Sequence, residues 1–459
     1  MASPTKDWQL NALPRRIHLI GIGGIGMSAI ARVLAGEGYL VSGSDLGETP
    51  ITLGLRELGV RTYRGHAAEQ LGDAELVVAS SAVPESNVEI VAARQAGLPV
   101  LKRQQFLRRL LQGRDVIAVA GTHGKTTTTG MIATILLGEG RDPGLIVGGV
   151  VAGLGVNGRA GRGPFVIEAD EYDRMFLGLT PRVAVLTNVE MDHPDYFHDL
   201  DDLRGAFARY LAQTPASGCI IACVDSPEAR RLLAEQPPQA RILTYGESEG
   251  ADFRVGEVAA EGERLRFTVR RQGALWGAFA LATPGRHNAL NATAAALAAA
   301  QRGVTPAQSA PHLLAYRGAA RRFEVRGEAA GVTVVDDYAH HPTEVRATLA
   351  AARLCYPGRR VVAVFQPHTF SRLRALFEAF LDAFADADEV IVLDVYAARA
   401  HEQDTLRHAQ ARHLGGLDEA AAYLAQTLRA GDVLITLSAG DGNRVGERVL
   451  DLMGRGSRP

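Results

Sequence analysis

Of all the sequence features, a glycine-rich segment at residues 121–126 constrains the fold of the chain most. The segment GTHGKT at 121–126 follows a short apolar run, residues 115–120, which predicts a buried strand. A helix-compatible stretch, residues 126–137, comes directly after it. Strand, glycine turn and helix together form a triphosphate-binding loop, because glycines let backbone N–H groups approach phosphates while Lys125 neutralises their charge. The sequence therefore predicts an α/β sheet with this loop at the end of one strand, where the Thr126 hydroxyl can bind Mg²⁺.

The use of lysine sets this loop apart from the rest of the chain. The sequence contains only Lys6, Lys102 and Lys125, and nearly all other positive charge is arginine. A lysine ammonium is a compact charge on a flexible stem, which suits a tight phosphate loop. Val119 stands where the common G-x-x-x-x-G-K-[ST] pattern has its first glycine. The alternative interpretation is a Gly-Thr turn before an ordinary helix.

Length and composition restrict the class of protein. A chain of 459 residues, 47% hydrophobic and 22% charged, predicts a globular protein of about three domains. The net charge is −2, so the composition does not indicate the basic surface that binding to nucleic acid requires. No stretch reaches the ~20 apolar residues that span a bilayer, so no membrane partner is expected. The three cysteines match no zinc-binding pattern and the N-terminus has no apolar signal core, which favours a cytoplasmic protein. For the oligomeric state, a monomer and a homodimer are both compatible with the sequence.

Hydrophobic patterning divides the chain into three α/β blocks. Short apolar strands alternate with helical stretches in the first block, which predicts a parallel sheet. The second block starts with the phosphate loop, and the third repeats the α/β pattern. Hinges are predicted at 112–114 and 316–318, which gives domains 1–112, 113–316 and 317–459. Glycine-rich residues 153–163 and 246–250 are predicted to be loops.

A second glycine motif opens the first block. Gly21, Gly23 and Gly26 fit G-x-G-x-x-G after a predicted strand, and Asp45 follows about 20 residues later, where a ribose-binding acid is expected. Such a turn directs a helix N-terminus at a pyrophosphate, so any nucleoside diphosphate suits it. A nicotinamide-dependent oxidoreductase is the alternative, but it leaves the second phosphate loop without a role.

Acidic and histidine residues end two strands of the second block. Glu168 opens the cluster EADEYD, and Asp192 and His193 close a later strand end. The carboxyl ends of parallel strands share one edge of a sheet, so these side chains are expected near Lys125 and Thr126. Hard oxygen ligands beside phosphates are what Mg²⁺ needs.

Further polar clusters lie at helix starts and strand ends. Residues 287 and 288 open an alanine-rich helix, where helix capping by Asn288 is the simple alternative to nucleotide contact. In the third block, polar groups end strands at 335–342, 366–372, 394–396 and 438–442. So many polar residues at strand ends rarely serve packing, which indicates ligand binding at the carboxyl edge of a third sheet.

In their order and spacing, these motifs resemble the Mur ligase family of peptidoglycan synthesis, over essentially the whole chain from His18 to Asn443. The resemblance implies an N-terminal Rossmann-like domain for the UDP-sugar, a central P-loop-type ATPase α/β domain, and a C-terminal Rossmann-like domain for the amino acid. It also implies ATP and Mg²⁺ as cofactors. Within the family, the members that add L-alanine to UDP-N-acetylmuramate are most similar. In their reaction an acyl phosphate is attacked by the amine.

The resemblance assigns roles to the matching positions. For ATP binding it implies Gly121, Thr122, His123, Gly124, Lys125, Thr126, Thr127, His287, Asn288, Asn291, Arg322 and Asp337. For UDP-sugar binding it implies Gly21, Gly23, Gly24, Ile25, Gly26, Asp45, His66, Ser80, Ser81 and Ala82. It places Tyr338, His340 and Arg372 near the amino acid. It implies metal ligation by Thr126, Glu168 and His193, and catalysis by Lys125, Glu168, His193 and Arg372.

Three positions depart from the family pattern. Thr369 stands where relatives often have arginine, so that one cationic anchor is either missing or supplied by Arg374. Tyr172 replaces the serine more usual in alanine-adding members. No lysine follows Lys125, so the carbamylated lysine of several relatives is absent, as it is in alanine-adding members.

Two other functions stay open at this point. An aromatic residue at 172 is more like the related ligase that joins a tripeptide to the same nucleotide in cell-wall recycling. Residues 366–368 and 394–398 instead favour the alanine-adding members. A regulatory ATP-binding module without chemistry is the remaining alternative.

Overall fold

Three β-sheets, one in each part of the chain, organise the molecule. The computed structural model describes residues 13–261, 264–396 and 411–455. The sheets have five, ten and six strands and define an N-terminal, a central and a C-terminal domain. Lys6 and residues 397–398, which the sequence analysis used, lie outside the described residues.

The N-terminal sheet is parallel throughout, in the order β3-β2-β1-β4-β5, which confirms the predicted α/β alternation. The order reverses between β1 and β4, the kind of switch point at which open α/β sheets bind ligands. The elements are β1 Arg16–Ile20, α1 Ile25–Gly36, β2 Leu40–Asp45, α2 Pro50–Arg56, β3 Arg61–Arg64, a 3₁₀ helix Ala68–Leu71, β4 Leu76–Ala79, α3 Val88–Gln95, β5 Val100–Lys102 and α4 Arg103–Leu110.

The central sheet has the order β15-β14-β13-β12-β11-β10-β6-β9-β7-β8. Strand β6, which carries the phosphate loop, lies between β9 and β10 and runs parallel to both. The elements are β6 Val116–Ala120, α5 Lys125–Gly138, β7 Gly144–Val151, β8 Val156–Arg159, β9 Phe165–Glu168, a 3₁₀ helix Tyr172–Gly178, β10 Val183–Leu186, α6 Leu200–Leu211, β11 Cys219–Cys223, α7 Pro227–Glu235, β12 Arg241–Gly246, β13 Phe253–Glu261, β14 Arg264–Arg271, β15 Ala274–Leu281, α8 Arg286–Ala300 and α9 Pro306–Ala315.

Strand β8 corrects one prediction. Residues 153–163 are not a continuous loop, since β8 pairs antiparallel with β7 at the sheet edge. Its glycine serves packing rather than a turn: a Cβ at Gly158 would lie 2.4 Å from the carbonyl oxygen of Ala29 in α1. Asn157 donates to the carbonyl oxygen of Ile25 at 2.8 Å. The sequence motifs also did not identify the antiparallel strands β13 to β15.

The C-terminal sheet has the order β16-β17-β21-β18-β19-β20, and only β16 runs antiparallel to its neighbour. The elements are β16 Glu324–Ala329, β17 Val332–Asp337, α10 Pro342–Cys355, β18 Val361–Gln366, α11 Phe370–Ala375, α12 Phe377–Leu381, β19 Glu389–Val392, β20 Ala411–His413, α13 Leu417–Thr427, β21 Val433–Ser438 and α14 Asn443–Arg455.

The N-terminal and central domains share an apolar core, whereas the C-terminal domain has cores of its own. One buried cluster contains Ile30 and Leu34 of the N-terminal domain together with Ile146 and Phe165 of the central domain. The two clusters of the C-terminal domain contain, among the described residues, only residues of that domain. The C-terminal domain therefore meets the central domain mainly through polar groups. No described helix combines the length and the apolar character that crossing a membrane requires.

Candidate active site

The phosphate loop lies where three neighbouring strands end. Because β9 and β10 flank β6, the loop at 121–125, Glu168 and the segment 187–193 meet at one edge of the central sheet. The loop is fixed by its neighbours: Asn188 Oδ1 accepts from the His123 N–H at 2.9 Å, and Thr122 Oγ1 donates to the Glu190 carbonyl at 3.0 Å. Gly124 has a φ of +80°, and a Cβ there would lie 2.6 Å from Asn291 Oδ1. Glycine is required here.

Lys125 is held ready for a phosphate group. Its Nζ donates to the carbonyl oxygens of Gly121 at 2.6 Å and Thr122 at 3.0 Å, and to Glu171 at 2.9 Å. Glu171 is 1% exposed. Burial alone would lower the pKa of Lys125, but Glu171, Asp170 and Glu168 together outweigh it and raise this pKa. The ammonium group is therefore charged.

Thr126 and Glu168 fit a divalent cation. The Thr126 side chain hydrogen-bonds to Glu168, whose carboxylate also accepts from the Gly148 N–H at 2.7 Å. Burial raises the pKa of Glu168 despite the nearby Lys125. A buried carboxylate that is hard to ionise gains most from an added positive charge, and oxygen ligands beside phosphates suit Mg²⁺.

His193 sits in the same cleft, against carboxylates. Its Nε2 lies 3.5 Å from Glu171 and 3.8 Å from Asp192. Burial alone would lower the pKa of His193, but Asp192 and Glu171 raise it. Its φ of +54° is uncommon for a residue with a side chain and points to a functional constraint. Asp192 in turn accepts from Arg372 Nε at 2.7 Å, so that a buried ion pair joins the central and C-terminal domains.

A cleft of about 630 Å³ unites the three domains around these residues. Arg103 and the glycine turn line it from the N-terminal domain, and Lys125, Glu168 and His193 from the central domain. The C-terminal domain contributes Arg321, Arg322, Tyr338, His340, His368 and Arg372. The structure thus brings together the predicted catalytic, metal and amino-acid residues.

A second cavity, of about 160 Å³, adjoins the phosphate loop. Among the predicted ATP residues, it is lined by His123, Gly124, Thr126, Thr127, His287, Asn288, Asn291, Arg322 and Asp337. Asn288 is not the helix cap, because Gly285 precedes α8 and the Asn288 side chain donates to the Pro284 carbonyl. Burial lowers the pKa of His287 to about 4 and raises that of Asp337 to about 6.

His123 joins the central and C-terminal domains through an ion pair. Its Nε2 lies 3.4 Å from Glu190 and its Nδ1 lies 3.3 Å from Glu344 of the C-terminal domain. Burial alone would lower the pKa of His123, but the two carboxylates raise it to about 9. His123, Glu190 and His341 have ligand atoms within 4.8 Å of one another. Both ring nitrogens of His341 are engaged, with the Thr343 N–H and the Met191 carbonyl, and His123 carries a proton, so this cluster is an ion-pair contact rather than a metal centre.

Two aromatic residues form the C-terminal wall of the large cleft. Tyr338 lies under Arg321 and Arg322, with its ring centre 5.2 and 5.3 Å from the two guanidinium carbons. His340 donates from Nδ1 to the Tyr338 carbonyl at 2.8 Å, and its ring contacts His368. Burial lowers the pKa of His340 to about 3, so this ring is neutral.

The glycine turn of the N-terminal domain is built as the sequence predicts. The Gly21 and Ile22 N–H groups donate to the Ser44 carbonyl, and the Gly23 N–H donates to Asp45 Oδ2 at 2.8 Å. Asp45 therefore stabilises the turn. Arg103 lies across Gly26 and pairs with Asp170 at 3.0 Å, which adds a cation to this anion site.

The other predicted UDP-sugar residues lie at the carboxyl ends of β3 and β4. His66 Nδ1 lies 2.8 Å from Glu89 Oε2, and Glu89, which is 0% exposed, also contacts His18 at 3.2 Å. Ser81 donates to Asp173 of the central domain at 2.6 Å. Ser80 accepts from the Ala82 N–H. These residues line the sheet edge at the switch point, together with Gly24 and Ile25 of the turn.

The departures from the family pattern have local structural roles. The Tyr172 ring lies tilted against the His193 ring, with ring centres 5.0 Å apart, and its hydroxyl donates to Asp195 at 3.3 Å. Thr369 caps α11 by accepting from the Arg372 N–H. Arg374 is exposed and lines neither cavity.

Four residues with important contacts were not among the predicted site residues: Arg103, Glu171, Glu89 and Glu344. Glu171 belongs to an acidic cluster that the sequence analysis did recognise, so its position at a strand end could have identified it. The other three lie within helices, and no local pattern distinguishes them from ordinary surface charges.

Family models match the chain in three consecutive segments. They are described as the Mur ligase family, catalytic domain, at residues 16–115, the Mur ligase middle domain at 119–299, and the Mur ligase, glutamate ligase domain, at 321–440. Together they follow the three sheets.

Relatives match over nearly the full length. The UDP-N-acetylmuramate–L-alanine ligase of Roseiflexus sp. (strain RS-1) is 44% identical, over 95% of this chain and 98% of the relative. That of Kineococcus radiotolerans is 45% identical, over 95% and 96%. A solved UDP-N-acetylmuramate–alanine ligase from Thermotoga maritima superposes with a TM-score of 0.81 at 29% identity, over 95% and 98%. A murein peptide ligase from Psychrobacter arcticus gives a TM-score of 0.73 at 28% identity, over 96% and 99%.

Proposed function

The chain belongs to the Mur ligase family, and on that premise we propose that it joins L-alanine to UDP-N-acetylmuramate at the expense of ATP. One observation supports this most directly. A single cleft is lined by an anion-binding glycine turn, a charged phosphate-loop lysine and a C-terminal wall of arginine and histidine. A ligase of three substrates needs these parts to face one another.

In the proposed reaction, ATP phosphorylates the lactyl carboxylate of the sugar nucleotide, which gives an acyl phosphate and ADP. The amine of L-alanine attacks the carbonyl carbon, the tetrahedral intermediate expels phosphate, and an amide remains. Lys125 exchanges Glu171 for the transferred phosphoryl group and stabilises its developing charge. The chemistry requires no enzyme nucleophile.

Mg²⁺ would be held by Thr126 and Glu168, with His193 as the further predicted ligand, and would neutralise phosphate charge during transfer. Arg322 and Arg372, both contributed by the C-terminal domain, add positive charge from the opposite wall of the cleft. The remaining predicted residues orient the substrates: the small cavity takes the nucleoside of ATP, and the turn at Gly21–Gly26 takes the diphosphate of UDP.

Cys219 and Cys223 are free and buried. Reduced cysteines and two nucleotide substrates support the cytoplasm as the site of the reaction. The oligomeric state, monomer or homodimer, stays a prediction.

Release of phosphate from ATP tests the function. It should require UDP-N-acetylmuramate and L-alanine together, because the acyl phosphate forms on one and is consumed by the other. Release stimulated by the tripeptide but not by L-alanine would identify the recycling ligase instead. Binding of NAD(H) in place of the sugar nucleotide would exclude both ligases.

Lys125→Ala tests whether the phosphates of ATP and the diphosphate of the sugar nucleotide bind at separate sites on different domains. The variant should lose turnover while still binding UDP-N-acetylmuramate within about twofold of the wild type, since the diphosphate turn lies on another domain. Calorimetric titration with the sugar nucleotide measures this directly. Loss of sugar-nucleotide binding in a folded variant would contradict the division.

A further inference from the structure

Glu344 occupies a position that no sequence motif explained. It lies in the first turn of α10, its side chain is 10% exposed, and it lines both cavities. The residues common to both are His123, Gly124, Thr126, Arg322 and Glu344. Glu344 therefore stands in the wall between the nucleotide cavity and the main cleft.

One oxygen of Glu344 lies on the side of the smaller cavity. Oε1 lies 3.3 Å from His123 Nδ1 of the phosphate loop and 3.4 Å from Arg322 Nη1. His123 is cationic, so this is a charged contact across the domain boundary. It forms only when the C-terminal domain lies against the phosphate loop.

The other oxygen faces the predicted amino-acid residues. Oε2 accepts from the His340 N–H at 3.1 Å and lies 3.4 Å from His340 Nδ1. Because Nδ1 also donates to the Tyr338 carbonyl, the proton of the neutral ring is fixed there and Nε2 keeps its lone pair. The Tyr338 carbonyl thus fixes which ring nitrogen can accept a hydrogen bond, while Glu344 holds the backbone N–H of His340 and lies beside Nδ1.

We propose that Glu344 is a positioning residue that couples the occupancy of the nucleotide site to the ordering of the amino-acid site. The inference rests on the proposed function for the identity of the amino acid. When the domains close over ATP, His123 and Arg322 fix one end of the carboxylate, and the other end then holds His340 in place. Amino-acid binding should therefore be tighter when the nucleotide site is filled.

Glu190 provides a matched control for this role. It contacts His123 as closely as Glu344 does, at 3.4 Å, and it also reaches across the domain boundary, to Thr343 Oγ1 at 2.7 Å. It has no contact with His340 among the described residues. Both variants, Glu344→Gln and Glu190→Gln, remove a carboxylate from His123, but only Glu344→Gln replaces the one side chain whose two acceptor oxygens bridge His123 and His340.

The experiment measures the dissociation constant of L-alanine by titration, with and without a non-hydrolysable ATP analogue and with UDP-N-acetylmuramate present. The wild type should bind L-alanine about tenfold more tightly with the analogue. In Glu344→Gln this ratio should fall to nearly one, and KM for L-alanine should rise more than kcat falls. In Glu190→Gln the ratio should stay near the wild-type value. Histidine NMR should show a lowered pKa for His123 in both variants, which confirms that each contact has been removed.

Each outcome decides the proposal. A wild-type ratio near one, an unchanged ratio in Glu344→Gln, or an equal loss in both variants would overturn it. A wild type that binds the ATP analogue and the sugar nucleotide but no L-alanine would instead contradict the proposed function, and repeating the titration with the tripeptide would then test the coupling separately.

Discussion

At the scale of single residues, the protein uses buried carboxylates to hold cations and histidines in place. Glu171 holds Lys125, Asp192 holds Arg372, and Glu89 holds His66 and His18. A buried charge is tolerated only when hydrogen bonds replace its lost water. Each carboxylate therefore fixes the geometry of its partners, and removing one should affect more than the residue itself.

Glu89→Gln tests this for the UDP-sugar site. Burial would raise the pKa of Glu89, but hydrogen bonds from His18 and Ser44 outweigh it and lower this pKa. The carboxylate thus stabilises the fold above its unfolded pKa of about 4.3, and this contribution is lost as the pH falls through the lowered folded-state pKa. The variant should be less stable by about 1–3 kcal/mol at pH 7, and its difference from the wild type should shrink in acid. Urea unfolding at several pH values measures both effects.

Glu85→Gln is the matched control, since Glu85 pairs with Arg94 and Lys102 on the surface of the same domain. Exposed pairs contribute less than about 1 kcal/mol. Equal stability of the two variants at pH 7 would show that the buried network around Glu89 does not stabilise the domain.

At the scale of elements, close packing of α1 on the edge strand β8 joins the N-terminal and central domains. Gly158 makes this approach possible, because any Cβ there would meet the backbone of Ala29. The glycine turn starts α1, so this packing also sets where the diphosphate site lies relative to the phosphate loop. A strand that the sequence analysis took for a loop thus determines part of the site geometry.

Gly158→Ala should destabilise the protein by about 1–3 kcal/mol, since a backbone contact cannot move aside as a flexible side chain can. Gly153→Ala is the control: it lies in the same segment with no heavy atom within 4 Å of its ideal Cβ. Thermal and urea unfolding compare the two. A Gly158→Ala variant as stable as Gly153→Ala would mean that α1 shifts freely on β8.

At the scale of the whole molecule, the C-terminal domain is joined to the rest by charge. Arg372 and Asp192 are 4% and 5% exposed and pair at 2.7 Å across the boundary. His123 and Glu344 add a second charged contact. Since no apolar cluster among the described residues spans this boundary, closure depends on these pairs and on the nucleotide between them.

Small-angle scattering tests closure. An ATP analogue should make the wild type more compact, whereas Arg372→Met should stay open, because closure would bury Asp192 without a partner at a cost of about 3–5 kcal/mol. Arg353→Met is the control, since Arg353 pairs with Asp388 within the C-terminal domain. Superimposable wild-type curves with and without nucleotide would contradict closure, and compaction of Arg372→Met would contradict the role of the pair.

The sequence by itself determined the phosphate loop, the glycine turn and the acidic strand ends, because glycines, apolar strands and helix starts are encoded in adjacent residues. Parallel strands then place the phosphate loop and the acidic strand ends at one edge of the central sheet without further information. Tertiary structure alone decided the pairing of Arg103 with Asp170, of Glu344 with His123 and of Arg372 with Asp192, since each of these contacts joins residues of different domains. It also decided that residues 156–159 form a strand, because an edge strand is stabilised by the neighbour it pairs with and by the helix packed on it, and neither is adjacent in sequence.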